Sequence, residues 1–400
     1  MEVPPMKQLA LVTLCGLCLW AVDPAYGGGE IYGTIYTDRG EEFTGAIRWD
    51  RNENFWDDII DSDKRDRVFV EGDRGTFRIF GLSFGADGGH WSSSQFKIFS
   101  GHIEAIEPRR GDRVRIDIKG GQQIDVDADG ADLGGMRELV IWDEAAGEVE
   151  LDWDEVERVE FRQGPGRGLD DERLYGTVET RGGDFTGYIV WDKDESLKDD
   201  ILDGKDDGRK HKIPFGKIKS IERRGSRASN VELIDGSTLR LSGTNDVDDD
   251  NRGIDITVPG VGLIKVEWED FDRVVFVDAP ASRRFDDFDG GRRLYGVVKD
   301  DHGRSYTGFI IWDLDEAHTW EFLDGEDEDI QYEIPFENIA SIAHYSRRSA
   351  EVTLHNGDVL ILSGSNDVDR ENKGIVIEMD DGDEVELDWY DFDMVEFKKK

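Results

Sequence analysis

Short runs in which apolar and polar residues alternate make up most of this chain, and Gly, Asn and Asp separate one run from the next. In the run that ends at Trp191, for example, Phe185, Gly187, Ile189 and Trp191 share one face of an extended chain. Alternation with a period of two is typical of a strand with one buried face. We find no convincing amphipathic helical period after residue 27, so the pattern predicts an all-β protein.

The alternating runs recur in a fixed order. The segment 174–176 returns at 294–296, and the segment 242–247 returns at 363–368 with one substitution. From the second strand onward the offset is constant, since 312 − 191 = 121 and 389 − 268 = 121 for paired tryptophans. A fixed period indicates a repeat architecture. We therefore predict a second unit at 172–278 and a third at 292–397. A divergent first unit is predicted at 28–162.

The first unit is longer than the other two. Gly45 corresponds to Gly187 at an offset of 142, whereas Ile98 corresponds to Ile213 at an offset of 115, so a 27-residue insertion separates them. It lies near residues 64–94, and two β-prone stretches in it, 67–70 and 76–80, predict an additional hairpin.

Each unit contains the same spacing of apolar anchors twice. The first set has anchors at relative positions 0, 2, 5 and 8, and the second set repeats them. This spacing predicts the end of a strand, one tight helical turn and a new strand, so each unit consists of two related halves. In the second unit the anchors are Ile213, Phe215, Ile218 and Ile221, then Val266, Trp268, Phe271 and Val274.

The hairpin strand Phe185-Thr186-Gly187-Tyr188-Ile189-Val190-Trp191-Asp192 resembles the first hairpin of the Sm proteins, which are small SH3-like barrels. The resemblance implies tandem SH3-like/Sm-like barrels, two halves per unit and three units after a signal peptide. Sm proteins bind RNA through an Asp and an Asn after this hairpin and through a basic Arg-Gly turn. Here 193–195 reads Lys-Asp-Glu and the later turn, 219–221, reads Lys-Ser-Ile, so the resemblance does not imply RNA binding.

Residues 1–27 have the features of a secretory signal peptide. An apolar core at 9–22 precedes the small residues of 25–27, and it is too short to span a bilayer comfortably. Both cysteines, Cys15 and Cys18, lie inside it, so the exported chain has no disulfide. We predict a secreted or periplasmic protein without a membrane span after signal removal. A retained membrane anchor is the alternative.

A formal net charge of −42 narrows the choice of partner. Such a field repels phosphate backbones and anionic lipid surfaces, which excludes nucleic acid as an expected ligand. Cations, basic proteins and neutral glycans remain compatible with it. The tryptophans at equivalent repeat positions are predicted to be core, and they are Trp49, Trp191, Trp312, Trp153, Trp268 and Trp389.

Two acidic loops are candidate Ca²⁺ sites, because Ca²⁺ binds six to eight oxygens, several of them from carboxylates. The alternative is that the acids are incidental, since 91 of 400 residues are acidic, and that the second loop is a turn ordered by Asn245 and Asn251. The first unit lacks both asparagines at 130–136, so it is predicted not to share this loop. The candidate ligands are Asp192, Asp194 and Glu195 in the first loop, and Asp246, Asp248 and Asp250 with their repeats Asp367, Asp369 and Glu371 in the second.

The sequence contains no recognisable catalytic constellation. The seven histidines do not align between units, and no serine elbow or phosphate-binding glycine loop is present. We therefore predict a non-enzymatic protein. Trp56 and Trp320 do not recur with the repeat and lie in loops, so they are candidates for stacking on sugar rings.

Three functional hypotheses follow. The first is an exported, non-catalytic binding or scaffold protein whose acidic loops bind an envelope or extracellular protein or glycan. The second is a repeat protein stabilised by calcium. The third is a carbohydrate-binding or glycan-active protein that uses the loop tryptophans and nearby acids.

Overall fold

The computed structural model describes residues 28–50, 52–63, 75–79, 82–86, 95–110, 113–128 and 132–400. It is all-β, with 56% of the residues in strands and 7% in helical turns, and the strands pair antiparallel. The predicted signal peptide at 1–27 lies outside the described residues, as does much of the predicted insertion. In the described part, no helix has the length and apolar character needed to cross a membrane.

The strands form three sets in chain order. The first set is β1 (Tyr32–Thr37), β2 (Glu42–Trp49), β3 (Ile59–Asp63), β4 (Gly75–Ile79), β5 (Leu82–Ala86), β6 (Gln95–Phe99), β7 (Ile103–Arg109), β8 (Arg113–Ile118), β9 (Gln122–Asp127), β10 (Leu139–Asp143), β11 (Gly147–Leu151) and β12 (Val156–Phe161).

The second set has ten strands and follows the linker that contains Pro165. These are β13 (Tyr175–Thr180), β14 (Gly183–Val190), β15 (Ile201–Asp206), β16 (Arg209–Pro214), β17 (Ile218–Arg223), β18 (Ala228–Leu233), β19 (Thr238–Ser242), β20 (Ile254–Val258), β21 (Gly262–Val266) and β22 (Phe271–Phe276).

The third set also has ten strands. These are β23 (Tyr295–Asp300), β24 (Ser305–Ile311), β25 (Phe322–Asp327), β26 (Ile330–Pro335), β27 (Ile339–Ser346), β28 (Ser349–Leu354), β29 (Val359–Ser363), β30 (Ile375–Met379), β31 (Glu384–Leu387) and β32 (Phe392–Phe397).

One strand order occurs in all three sets. In the first set it is β11-β10-β2-β1-β12-β7-β8-β9. The second set pairs in the equivalent order, β21-β20-β14-β13-β22-β17-β18-β19, and the third pairs as β31-β30-β24-β23-β32-β27-β28-β29. A separate antiparallel pair, β3 with β6, β15 with β16 and β25 with β26, accompanies each order. The repetition in the sequence is thus matched by a repetition of strand pairing.

Short 3-10 turns connect strands at the predicted corners. In the second set the turn Phe215–Lys217 lies between β16 and β17, and equivalent turns occupy Ser100–His102, Trp153–Glu155 and Phe336–Asn338. The other corner of the second set is a turn in which the Asp270 amide donates to the Glu267 carbonyl at 3.0 Å. Four further 3-10 turns of the described residues lie in loops, at Asp170–Glu172, Asn245–Val247, Phe285–Asp287 and Asn366–Val368.

The anchors of the repeat form the hydrophobic cores. Trp49, Trp191 and Trp312 are completely buried, and Trp268 and Trp389 are nearly so, whereas Trp153 is half-buried. Trp191 packs edge-on against Phe271 with ring centroids 5.3 Å apart, and Trp312 packs in the same way against Phe392. One continuous core runs through the second and third sets. A second core fills the first set and also includes Phe285 and Phe288 of the linker and Trp320 and Phe322 of the third set.

The described part of the insertion contains a hairpin in which β4 pairs with β5. One of its strands, Gly75–Ile79, matches the predicted stretch 76–80 closely. Its partner is Leu82–Ala86, whereas the predicted partner, 67–70, lies outside the described residues. The pairing of this strand with 67–70 therefore stays a prediction.

Candidate metal centres

Each strand set contains an aspartate with an unusual backbone directly after a buried tryptophan. Asp192 has φ 53°, and the equivalent Asp50 and Asp313 have φ 49° and 48°. Left-handed backbone is uncommon outside glycine, and aspartate is among the side chains that tolerate it. The chain therefore turns sharply at these positions.

The same turn places a glutamate beside the aspartate. The Trp191 amide donates to the Glu195 carbonyl at 2.7 Å, and the Glu195 amide donates to the Trp191 carbonyl at 3.0 Å. The other two sets repeat this pairing, with bridges between Trp49 and Glu53 and between Trp312 and Glu316. A Trp-Asp-x-x-Glu sequence therefore closes one small loop three times.

A second loop contributes a third carboxylate. The indole Nε1 of Trp191 donates to the carbonyl of Asp246 at 3.0 Å, and Trp312 donates to Asp367 in the same way at 2.9 Å. In the first set Trp49 donates to Asp132 at 2.8 Å. The buried tryptophan thus connects the two loops, which are far apart in the sequence.

The result is a triad of carboxylates in each set. In each triad one oxygen from every residue lies within 4.8 Å of the other two, a separation that permits all three to contact one cation. Most of these side chains are buried. The triads found among the described residues are Asp50, Glu53 and Asp132; Asp192, Glu195 and Asp246; and Asp313, Glu316 and Asp367.

Burial and the repulsion between neighbouring carboxylates raise the pKa of several of these groups. Burial, with the nearby charge of Asp246, raises the pKa of Glu195 to about 9, and burial raises the pKa of Asp246 itself to about 6. In the first triad burial raises the pKa of Asp132 to about 7 and that of Glu53 well above its usual value. A carboxylate that is costly to ionise alone becomes favourable to ionise when a cation takes the place of the proton.

Glu53 supplies an independent indication of a ligand. Its side chain is 8% exposed, and its Oε2 has no hydrogen-bond partner among the described residues. Oε2 of Glu195 is likewise buried without such a partner in the described part of the chain. A buried carboxylate oxygen without a partner is expensive, so such atoms call for an explanation, and a bound ion is one.

A basic side chain accompanies each triad. Arg252 contacts Asp192 at 2.8 Å, Arg137 contacts Asp50 at 3.2 Å, and Lys373 contacts Asp313 at 3.2 Å. With its three carboxylates ionised, each triad plus its basic partner carries −3 + 1 = −2. This residual charge is the one that a divalent cation neutralises.

The first and second triads are connected through charged side chains. Arg137, the partner of Asp50, also contacts Asp194 at 3.3 Å. Asp194 in turn lies 3.6 Å from Arg252, the partner of Asp192. Asp194 was predicted as a metal ligand, and here it lies between two guanidinium groups beside the triad.

Of the other predicted ligands, Asp192, Glu195, Asp246 and Asp367 belong to triads, and the rest do not. Asp248 accepts a hydrogen bond from the Gly243 amide at 3.0 Å, and Asp250 is exposed. In the third set Asp369 accepts from the Glu371 amide at 2.7 Å, and Glu371 is exposed. Asp248 and Asp369 therefore order the backbone of their loops.

The prediction that the first unit does not share the second loop is wrong for its carboxylate. Asp132 replaces Asp246 in the triad, and its Oδ2 accepts from the Asp61 amide at 2.8 Å as Asp246 accepts from Asp203 at 2.5 Å. The asparagines were a misleading guide, because Asn245 and Asn366 donate to the triad aspartates without belonging to the triads.

Trp56 and Trp320, the predicted sugar-stacking residues, are completely buried. Trp56 packs on Phe285 with ring centroids 4.7 Å apart, and Trp320 stacks on His318 at 5.8 Å. The Trp320 indole also donates to Gln122 at 3.2 Å, which connects the third strand set to the first. Both rings therefore have packing partners on their faces, and a sugar would have to displace these partners.

The chain has no match among protein-family models, among curated proteins or among solved structures.

Proposed function

We propose that this protein is a non-catalytic scaffold or binding protein whose three repeats are each stabilised by a divalent cation, with Ca²⁺ as the expected ion. The observation that carries the proposal is the threefold recurrence of a buried carboxylate triad on the same two loops. Incidental acidic clusters have no reason to recur at equivalent positions, and a shared ligand supplies such a reason.

Calcium is favoured over softer metals by the chemistry of the donors. Each triad offers only oxygen, and hard cations such as Ca²⁺ and Mg²⁺ prefer oxygen, whereas Zn²⁺ prefers sites with imidazole or thiolate. Ca²⁺ also tolerates flexible coordination, so water can complete the six to eight oxygens that it requires. Mg²⁺ needs stricter octahedral geometry, and we expect it to bind more weakly.

The role of the cation is structural in this proposal. Each triad joins the end of a hairpin strand to a loop that is 54 residues further on in the second and third sets, since 246 − 192 = 54 and 367 − 313 = 54. An ion that binds only the folded arrangement raises its stability by an amount that grows with the logarithm of the ion concentration relative to its dissociation constant. We further propose that each set consists of two small SH3-like/Sm-like barrels, that the chain is exported, and that its exposed loops bind an envelope or extracellular partner.

The test is a Ca²⁺ titration followed by melting temperature and by native mass spectrometry. We expect the melting temperature in millimolar Ca²⁺ to exceed that in chelator by several degrees, with up to three ions per chain. An unchanged melting temperature together with a mass that shows no bound ion would refute the proposal.

Single variants assign the effect to the triads. Glu195→Gln removes one carboxylate charge from the second triad, so the bound ions should decrease from three to two and the Ca²⁺-dependent shift should become smaller. Glu269→Gln is the matched control, because Glu269 is exposed on the same strand set. A control variant that loses as much Ca²⁺ response as Glu195→Gln would show that the response comes from the general surface charge.

A further inference from the structure

Arginines cluster on one equivalent hairpin of every strand set, although the chain as a whole is strongly acidic. The hairpins are β7–β8, β17–β18 and β27–β28, and their turns carry the arginines at one end of each hairpin. We call these turns tip 1, tip 2 and tip 3. Tip 1 has Arg109, Arg110, Arg113 and Arg115; tip 2 has Arg223, Arg224 and Arg227; and tip 3 has Arg347 and Arg348.

Tip 1 has the highest local positive charge. Its four arginines line a hollow of about 350 Å³ together with Asp125. Arg115 holds Asp125 through two hydrogen bonds of 2.9 and 3.1 Å, and Arg109 contacts Glu107 at 2.8 Å. The sequence places one further acid, Asp112, in this turn, so four arginines face three acids and an excess of one positive charge remains. Arg110 and Arg113 are exposed and have no ion pair with any described residue.

Tip 3 combines arginine with exposed aromatic rings. The Arg370 amide donates to the Arg347 carbonyl at 3.0 Å, which brings a third arginine to this tip. The Arg347 guanidinium lies 5.7 Å from the centre of the Tyr390 ring. Tyr390 is 53% exposed and the neighbouring Tyr345 is 62% exposed, so both rings are accessible to a ligand.

Tip 2 has fewer arginines than tip 1, but they occupy the equivalent turn. Arg224 contacts Glu222 at 3.0 Å, and Arg223 contacts Asp272 at 3.5 Å and donates to the Phe271 carbonyl. Arg227 is exposed and has no ion pair with a described residue. Three tips of one sign at equivalent positions, on a chain of charge −42, indicate a surface that binds anionic groups.

We propose that the arginine tips are binding sites for a carboxylated polysaccharide. At physiological salt, screening limits the reach of a surface charge to about 8 Å, so a group at a tip interacts mainly with the local arginines. The total charge still acts against ligands of very high charge density, such as nucleic acids. A polysaccharide with a carboxylate on only some of its sugars avoids much of this repulsion.

The chemistry of the tips fits such a ligand. The arginine guanidinium binds carboxylates through two parallel hydrogen bonds, and exposed tyrosine rings offer flat apolar faces to sugars. Repetition of a weak site on three units suits a ligand that itself repeats, because each additional contact forms at a high effective concentration. This proposal does not depend on cation binding at the triads.

The test is binding of hyaluronan, a polysaccharide whose only charges are carboxylates, to the full chain in moderate salt. Dextran serves as a neutral probe, and duplex DNA and an acidic polypeptide serve as polyanions of other classes. We expect hyaluronan to bind with an affinity that decreases steeply with salt, dextran not to bind, and the other polyanions to bind more weakly. Absence of hyaluronan binding at low salt would overturn the proposal, as would tighter binding of DNA or of the acidic polypeptide.

Charge reversal locates the binding surface. The double variant Arg110→Glu/Arg113→Glu should weaken hyaluronan binding by about tenfold or more, which corresponds to the loss of about 1.4 kcal/mol. Arg209→Glu/Lys210→Glu makes the same change in net charge on an exposed hairpin of the second set and is the control. Equal losses in both variants would mean that binding depends on total charge and not on the tips, and circular dichroism confirms that both variants fold.

Discussion

At the scale of single residues, His102 shows how burial determines a protonation state. Its Nδ1 accepts a hydrogen bond from the Gly290 amide at 3.1 Å, and its Nε2 lies 3.9 Å from Oε2 of Glu337. Burial lowers the pKa of His102 to about 3, and the positive charges of Arg283 and Lys119 act in the same direction while Asp289 opposes them. The imidazole is therefore neutral in the folded protein at every pH above that value.

We predict that the neutral, buried His102 lowers the stability of the folded protein in acid. Between about pH 6.5 and pH 3 the unfolded chain protonates this histidine and the folded chain does not, so stability decreases as the pH falls, by up to about 1.4 kcal/mol per pH unit. In His102→Gln this dependence is absent. Urea unfolding at pH 6.5, 5.5 and 4.5 should show the wild type losing more stability than the variant. Parallel losses would contradict the prediction.

The triad residues show what a sequence can and cannot locate. Asp192 and Glu195 were identified because they share one short loop, and Asp246 was identified because its loop recurs. Nothing in the sequence states that the two loops meet, because the contact depends on a hydrogen bond from the Trp191 indole across the core. Asp132 was missed because the asparagines of the second loop, which do not belong to the triads, are absent from the first unit.

At the scale of elements, the hairpin strands lie very close to neighbouring strands at glycines that occupy equivalent positions in the repeats. A Cβ on Gly187 would lie 2.3 Å from the carbonyl oxygen of Thr257 on β20, and one on Gly308 would lie 2.1 Å from that of Glu378 on β30. Gly187 also lies directly opposite Gly176. The glycine that prompted comparison with the Sm hairpin is therefore required here by the spacing between strands.

We predict that Gly187→Ala destabilises the second set. The added methyl group forces β14 and β20 apart, and overpacking of this kind typically costs about 1–3 kcal/mol. Asp184→Ala, at an exposed position of the same strand, is the control and should change the urea midpoint little. Equal stability of the two variants would show that the strands can separate without cost.

Strand periodicity predicted the strands reliably. It did not predict which strands pair when they are far apart in the sequence. Alternation identified β14 and the turns identified hairpins, because both depend on neighbouring residues. The 3-10 corner at Phe215–Lys217 was also predicted from the spacing of its anchors. Pairing of β13 with β22, which are nearly a hundred positions apart, depends on packing that no local pattern records.

At the scale of the whole molecule, a charged junction joins all three strand sets. Lys97 of the first set contacts Glu333 of the third at 2.7 Å, and Lys265 of the second contacts the same carboxylate at 2.6 Å. Lys97 also contacts Asp324 at 3.2 Å, and the Asp324 amide donates to Asp367 of the third triad at 2.7 Å. The two lysines hold the pKa of Glu333 below its usual value despite its burial.

We predict that Glu333→Gln weakens the association of the sets. The substitution leaves the partly buried ammonium groups of Lys97 and Lys265 without their shared carboxylate, although Lys97 keeps Asp324 as a partner. Breaking a fully buried pair costs about 3 kcal/mol or more, and we expect a smaller loss at these partly exposed groups. Glu232→Gln, which removes an exposed partner of Lys219, is the control and should leave the unfolding midpoint unchanged. Calorimetry should show a lower and broader transition for Glu333→Gln alone, and identical transitions in the two variants would contradict the prediction.

A backbone connection between the second and third sets lies beside the junction. β21 pairs with β26, so the edge of the second set continues into the third. The equivalent strands β11 and β31 have a neighbour on one side only among the described residues. Where β21 carries Lys265, these two strands carry Glu150 and Glu386. Like charges along an open strand discourage the addition of a strand from another molecule, so Glu150 and Glu386 disfavour fibre formation at these two edges.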